Sequence, residues 1–198
     1  MTTDDFAVGT IAGSSSFLVI LLILHLLSPE FEPSTRYISE YSLGTYGVAM
    51  RFAFVVLGLS VLSCAVVSVT ASPPSTLPRY AVAALLTAAA FCIMGLAVFV
   101  TDPSTRVTAT RAGNIHIQLA QTGFWFLVAG MIVYSAISAW VDGGRWNWSL
   151  LLTAAVALLA LLGLRYATSD SAGMVQRLFI AVVTAWLVLA GTVQVRAV

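Results

Sequence analysis

Apolar residues in this chain gather into six runs, near Phe6–Leu27, Gly47–Ala71, Tyr80–Val100, Ile115–Trp140, Trp146–Tyr166 and Met174–Val195. Crossing a ~30 Å hydrocarbon core takes about 20 helical residues at ~1.5 Å each, and every run is long enough. Inside lipid the backbone must satisfy its own hydrogen bonds, so such runs are helices. A barrel would show ten-residue segments of alternating polarity, and these runs do not alternate. The breaks between them carry turn residues: Ser28-Pro29, Ser72-Pro73-Pro74, Asp102-Pro103, Asp142-Gly143-Gly144 and Ser169-Asp170-Ser171. The pattern predicts an all-α, polytopic integral membrane protein, a six-transmembrane-helix bundle forming a single transmembrane domain over 1–198. The start, "MTTDDFAVG", lacks the positive region of a cleavable signal, so the first run is expected to remain as a span.

Six spans put both termini on one side, here the terminal side. The opposite, loop side holds 28–46, 101–114 and 167–173. Polar residues divide unevenly. Arg36, Arg51, Arg106, Arg111, Arg165 and Arg177, both histidines and most carboxylates lie toward the loop side. Arg79, Arg145 and Arg196 lie toward the terminal side, with Trp140, Trp146 and Trp148 clustered as interfacial aromatics. Loop-side arginines are thus the majority, and the positive-inside rule places that side in the cytoplasm and the terminal side outside, in a multi-pass cell-membrane topology.

Composition sharpens this picture. The 198 residues are 60% hydrophobic and only 9% charged, with a mean hydropathy of +0.98. That leaves too little charge to surface a soluble domain. The net charge of +1 gives no basic field for nucleic acid. Cys64 and Cys92 fall at depths that differ by roughly 13 Å, so no disulfide between them is expected.

The polarity that remains is concentrated at helix mouths. Arg51 stands about one turn inside the second span, where a membrane-embedded Arg is costly unless it snorkels or finds a partner such as Glu40. Tyr37, Tyr41 and Tyr46 alternate with polar residues in a segment suited to the interface. Asn114, Gln118, Gln121 and Trp125 recur at helical spacing as one stripe on the fourth span, and that stripe is expected to face other helices. Arg177 opens the sixth span against the helix dipole, so a carboxylate partner or snorkelling is expected there.

The order Ile38-Ser39-Glu40, then Thr101-Asp102, Thr110, Gly113 and His116, then Gly173, Gln176 and Arg177 resembles the membrane family catalogued as domain of unknown function 998. The resemblance covers essentially the whole chain. It implies a six-helix fold of prokaryotic membranes and no assigned reaction.

Glu40, Arg51, Asp102, Arg111, His116, Gln176 and Arg177 come from three separate loop-side regions and lie within about two turns of one membrane face. They are the candidate site. The favoured function is binding of a membrane lipid headgroup or a small polar ligand, not catalysis. One alternative is an intramembrane hydrolase-like enzyme using an Asp, a His and a Ser from the same cluster. A zinc version would have to draw on His25, His116 and Asp102 or Glu40, and no metalloprotease-like spacing is present. A second alternative is haem held between His25 and His116. No other cofactor is expected, and no paired set of broken helices marks a transport site.

Overall fold

The computed structural model describes residues 2–70, 76–141 and 148–196, with the side chains of 139–141 and 196 left aside. Six long helices dominate: α1 (Thr3–Leu27), α2 (Gly47–Thr70), α3 (Leu77–Gly95), α4 (Arg111–Val141), α5 (Trp148–Tyr166) and α6 (Ala172–Arg196). Each is long and apolar enough to cross a membrane, and no strand occurs among the described residues. The chain is a multi-pass, all-α membrane protein. The turn signals at Ser72-Pro73-Pro74 and Asp142-Gly143-Gly144, with Arg145 and Trp146, lie outside the described residues.

The helices follow one another around a ring that α6 closes by packing on α1, while α2 also reaches α6 across the interior. Small residues set the closest approaches, as expected where lipid supplies no hydrophobic drive between helices. A Cβ at Gly13 of α1 would sit 2.8 Å from the Ser60 Cβ of α2, and the Ser60 hydroxyl donates to the Thr10 carbonyl at 2.7 Å. A Cβ at Gly191 of α6 would meet the Ala7 carbonyl of α1 at 2.9 Å. At Gly123 of α4 it would meet the Cys92 Cβ of α3 at 2.8 Å. The α4–α5 pair is the loosest of the sequential neighbours. Buried aromatics tie α4 to α6 toward the terminal side. The Trp186 indole N–H donates to the Ser135 hydroxyl at 3.0 Å, and Tyr134 meets the Trp186 ring edge-on at 5.2 Å. Cys64 and Cys92 are free thiols.

Two helix ends differ from the hydropathy pattern. The third apolar run continues to Val100, but α3 ends at Gly95 and the chain tightens into turns, with Leu96, Ala97 and Val98 bonding three residues back. The carbonyls released there find side-chain donors on α2 and α4, described below. Conversely, α4 begins at Arg111, four residues ahead of its apolar run, where the Thr110 side chain caps it.

The loop between α1 and α2 is folded. Its centre is a 3₁₀ helix, Ile38–Leu43, with Ile38, Ser39, Glu40 and Tyr41 all buried. This segment sits over the loop-side end of the bundle and forms part of the site.

Candidate functional site

The loop side is assembled from three polar devices, each made of residues the sequence singles out. The first starts α4. The Thr110 backbone N–H donates to Asp102 Oδ2 at 2.6 Å, and its hydroxyl donates to the same carboxylate at 3.0–3.1 Å. That hydroxyl also accepts from the Gly113 N–H at 3.0 Å, which is the work of an N-cap. A Cβ at Gly113 would collide with the Asp102 carboxylate, so the glycine is required for this approach. One turn on, the Nδ1 of His116 lies 2.6 Å from the Phe99 carbonyl, and the ring meets Phe54 of α2 edge-on at 6.2 Å. A carbonyl only accepts, so Nδ1 carries the proton, and in the neutral ring Nε2 presents its lone pair.

The second device starts α6. A Cβ at Gly173 would meet the Arg36, Pro33 and Ser34 carbonyls at 2.5–2.8 Å, so the loop backbone lies directly on the helix mouth. Arg177 fastens it there. Its Nη1 donates to the Pro33 carbonyl at 2.8 Å, the Arg36 carbonyl at 2.6 Å and the Gly173 carbonyl at 3.1 Å. Its Nε donates to His25 Nε2 at 2.8 Å, and Nη2 donates to the Tyr41 hydroxyl at 3.2 Å. Next to it, Gln176 Oε1 accepts from the Ile38 N–H at 2.8 Å. That backbone donor fixes the amide orientation and leaves the Gln176 NH₂ turned the other way.

The third device is Glu40, only 1% exposed. Its Oε2 accepts from Arg36 at 2.9 Å and from the Ser104 N–H at 3.0 Å, and its Oε1 accepts from the Tyr37 N–H at 3.1 Å. Arg36 also donates to the Ser104 hydroxyl at 2.7 Å. Glu40 therefore latches the 3₁₀ segment to the loop between α3 and α4.

Several expected pairings are replaced. Arg51 does not meet Glu40. Its Nε takes the Ala97 carbonyl at 2.6 Å, one of those freed where α3 ends early. Arg177 has carbonyls and a histidine as partners instead of a carboxylate, because the folded loop brings unpaired carbonyls to the helix mouth. Both ion pairs among the described residues are local, Arg36–Glu40 at 2.9 Å and Arg106–Asp102 at 3.7 Å. Arg111 is exposed and makes no hydrogen bond or ion pair among the described residues. The stripe of Asn114, Gln118, Gln121 and Trp125 faces outward, and all four side chains are exposed. Gly113, His116, Gly123, Phe124 and Leu127 set the phase of α4 by packing inward, which turns the stripe toward the outer surface.

Beneath these devices lies a cavity of about 630 Å³. Its floor is apolar, formed by Phe17, Leu57, Ile93, Phe124 and Ile180 from five helices. Its upper wall carries Ser39, Asp102, Arg106, His116, Arg165 and Gln176. Exposed Ile117, Gln121, Trp125 and Arg165 also line it, so the cavity reaches the outer surface along the loose α4–α5 seam. Of the candidate residues, Asp102, His116 and Gln176 line the cavity, while Glu40, Arg51, Arg111 and Arg177 do not. His116 and Gln176 are 3% and 7% exposed, yet His116 Nε2 and the Gln176 NH₂ have no partner among the described residues. Ser39, Arg106 and Arg165 join the lining without being among the candidates expected from sequence. Arg165 reads as a helix-end cation, and nothing in its local sequence marks a cavity.

The hydrolase and haem alternatives meet specific geometry. His116 Nδ1 rests on a carbonyl, while the Asp102 carboxylate is committed to Thr110 and Arg106, so no Asp–His pair is assembled. Both ring nitrogens of His25 are engaged, Nδ1 with the Leu21 carbonyl at 2.8 Å and Nε2 with Arg177. No group of three His, Cys, Asp or Glu capable of holding a metal occurs among the described residues.

No curated protein and no solved structure matches this chain. A family model does, over residues 11–193. The ordered devices around Glu40, Asp102–His116 and Gly173–Arg177 lie within that match, and the chain belongs to the family described as protein of unknown function, DUF998.

Proposed function

We propose that this protein binds an amphipathic, lipid-like ligand in the loop-side cavity, with the polar group at the upper wall and the apolar part on the floor. The observation that carries the reading is the pair of buried side chains, His116 and Gln176, whose free polar atoms line a cavity with an apolar base. Neither atom is sealed off, since the buried side-chain polar atom without a partner among the described residues is Asp4 Oδ1; both open onto the cavity, where a ligand completes their hydrogen bonding. About 630 Å³ lies within the range of small-molecule sites. The lateral opening along α4–α5 suits a ligand that arrives from the bilayer.

Binding is favoured over catalysis because no carboxylate orients His116. The scaffold supports the same reading. Glu40, Asp102, Arg177 and Gly173 spend their bonding capacity on holding two loops over the cavity, so they act as roof and frame. The loop side is read as cytoplasmic from the arginine majority.

The test is native mass spectrometry of the protein purified in mild detergent, comparing wild type with Ala120→Phe. Ala120 lines the cavity one helical turn from His116, so the larger side chain takes up the space beside the His116 ring. A retained lipid-sized adduct on wild type, lost in a variant of unchanged melting temperature, is the expected result. Equal retention by both proteins contradicts the proposal.

A further inference from the structure

Resting on the binding reading above, we infer that the ligand's polar group is an anion that also carries an O–H, as in a phosphate bearing a hydroxylated headgroup. The wall imposes this through two backbone groups that fix the chemistry of its side chains. The Ile38 N–H holds Gln176 Oε1, so Gln176 offers the cavity donors only. The Phe99 carbonyl holds His116 Nδ1, so the neutral imidazole offers it one acceptor, Nε2. Two arginines add charge. Arg165 lines the cavity and has no protein partner among the described residues, while Arg106 donates from Nε to the Thr108 carbonyl at 2.9 Å and reaches Asp102 at 3.7 Å.

Asp102 is the sole acidic residue in the lining, and its oxygens already accept from Thr110. The wall therefore carries two cations against one occupied carboxylate, and its unspent hydrogen-bonding capacity is donor-rich. Such a wall selects an anion. The His116 Nε2 acceptor sets a second requirement. Toward the neutral ring, an anion without an O–H would point oxygen lone pairs at the Nε2 lone pair, whereas a hydroxyl beside the charge satisfies both. A phosphocholine headgroup keeps the phosphate but offsets it with a cation beside the arginines, and it has no O–H for His116.

The experiment measures thermal stabilisation of the full chain in detergent as a function of added ligand. The probes are phosphatidylglycerol (anionic, with hydroxyls), phosphatidylmethanol (anionic, without), phosphatidylcholine, and water-soluble glycerol 3-phosphate. Half-maximal stabilisation by phosphatidylglycerol is expected at about 10-fold lower concentration than by phosphatidylcholine, the worth of one charge-assisted contact. Phosphatidylmethanol should fall between them. Arg165→Gln, at an exposed side chain without protein partners, should fold normally and narrow the glycerol–choline gap; a gap left intact overturns the anion assignment. Equal stabilisation by phosphatidylglycerol and phosphatidylcholine also overturns the anion assignment while leaving amphipath binding standing. Equal stabilisation by phosphatidylglycerol and phosphatidylmethanol overturns the O–H requirement. Saturation by glycerol 3-phosphate at the concentration that suffices for the lipid identifies a free anion as the ligand and supports the chemistry without the lipid source. No stabilisation by any probe overturns both this inference and the binding reading.

Discussion

At the residue scale, single side chains here perform jobs that a helical hydropathy pattern does not reveal. Arg177 donates to three carbonyls, a histidine and a tyrosine, and so joins α1, the first loop and α6 at one point. Hydrogen bonds to a charged group are worth about 1.5–3 kcal/mol each, so Arg177→Gln should destabilise the protein by at least about 3 kcal/mol in reversible detergent unfolding. A loss below 1 kcal/mol would show that the guanidinium is a solvated rim charge. Thr110 makes a narrower prediction. Thr110→Ala removes both the α4 cap and the Asp102 contact and should cost about 1–2 kcal/mol, measured the same way, whereas Thr110→Ser should recover most of that. The importance of Arg177 was legible because an arginine at a helix mouth is unusual among apolar residues, whereas Thr110 and Gly113 stood out only through the family resemblance. Their partners were not legible. Backbone carbonyls carry no sequence signature, so Phe99, Pro33 and Ala97 could not be named as acceptors in advance.

The same limit recurs at the scale of elements. The six spans follow directly from long apolar runs, yet α3 stops at Gly95 inside its run. Hydropathy records whether residues are apolar, not whether their carbonyls have other donors, and Arg51 and His116 supply those donors. Periodicity gave the α4 amide stripe but assigned it the wrong face. Which face packs is decided by glycines and apolar residues against α3, and polar residues near a helix end are tolerated at an outer surface. The latch between the first and third loops offers a graded test. Glu40 accepts from one side chain and two backbone N–H groups, while Arg36 is 27% exposed in its side chain. Glu40→Gln should therefore destabilise more than Arg36→Gln, toward the 3–5 kcal/mol of a broken buried pair, against about 1 kcal/mol for the arginine. Equal losses would mean that the ion pair alone matters and the backbone bonds do not.

The whole molecule is a ring of six helices, tightly joined except along α4–α5, with two folded loops closing one end over a cavity. Its orientation has a direct check. Cysteines introduced singly at Thr108 on the loop side and Thr76 on the terminal side, in a background lacking Cys64 and Cys92, should react differently with an impermeant thiol reagent in intact cells. Labelling at Thr76 alone agrees with a cytoplasmic loop side, and labelling at Thr108 alone reverses it. The cavity itself was not legible in the sequence, since it arises where two helices pack loosely, and only three of seven candidate residues line it. Its occupancy is the central claim. A high-resolution structure determined in lipid nanodiscs should contain elongated non-protein density entering between α4 and α5, with its polar end within hydrogen-bond distance of His116 Nε2 and the Gln176 amide. A cavity that holds only ordered water there, or that closes with α4 packed against α5, would contradict the account.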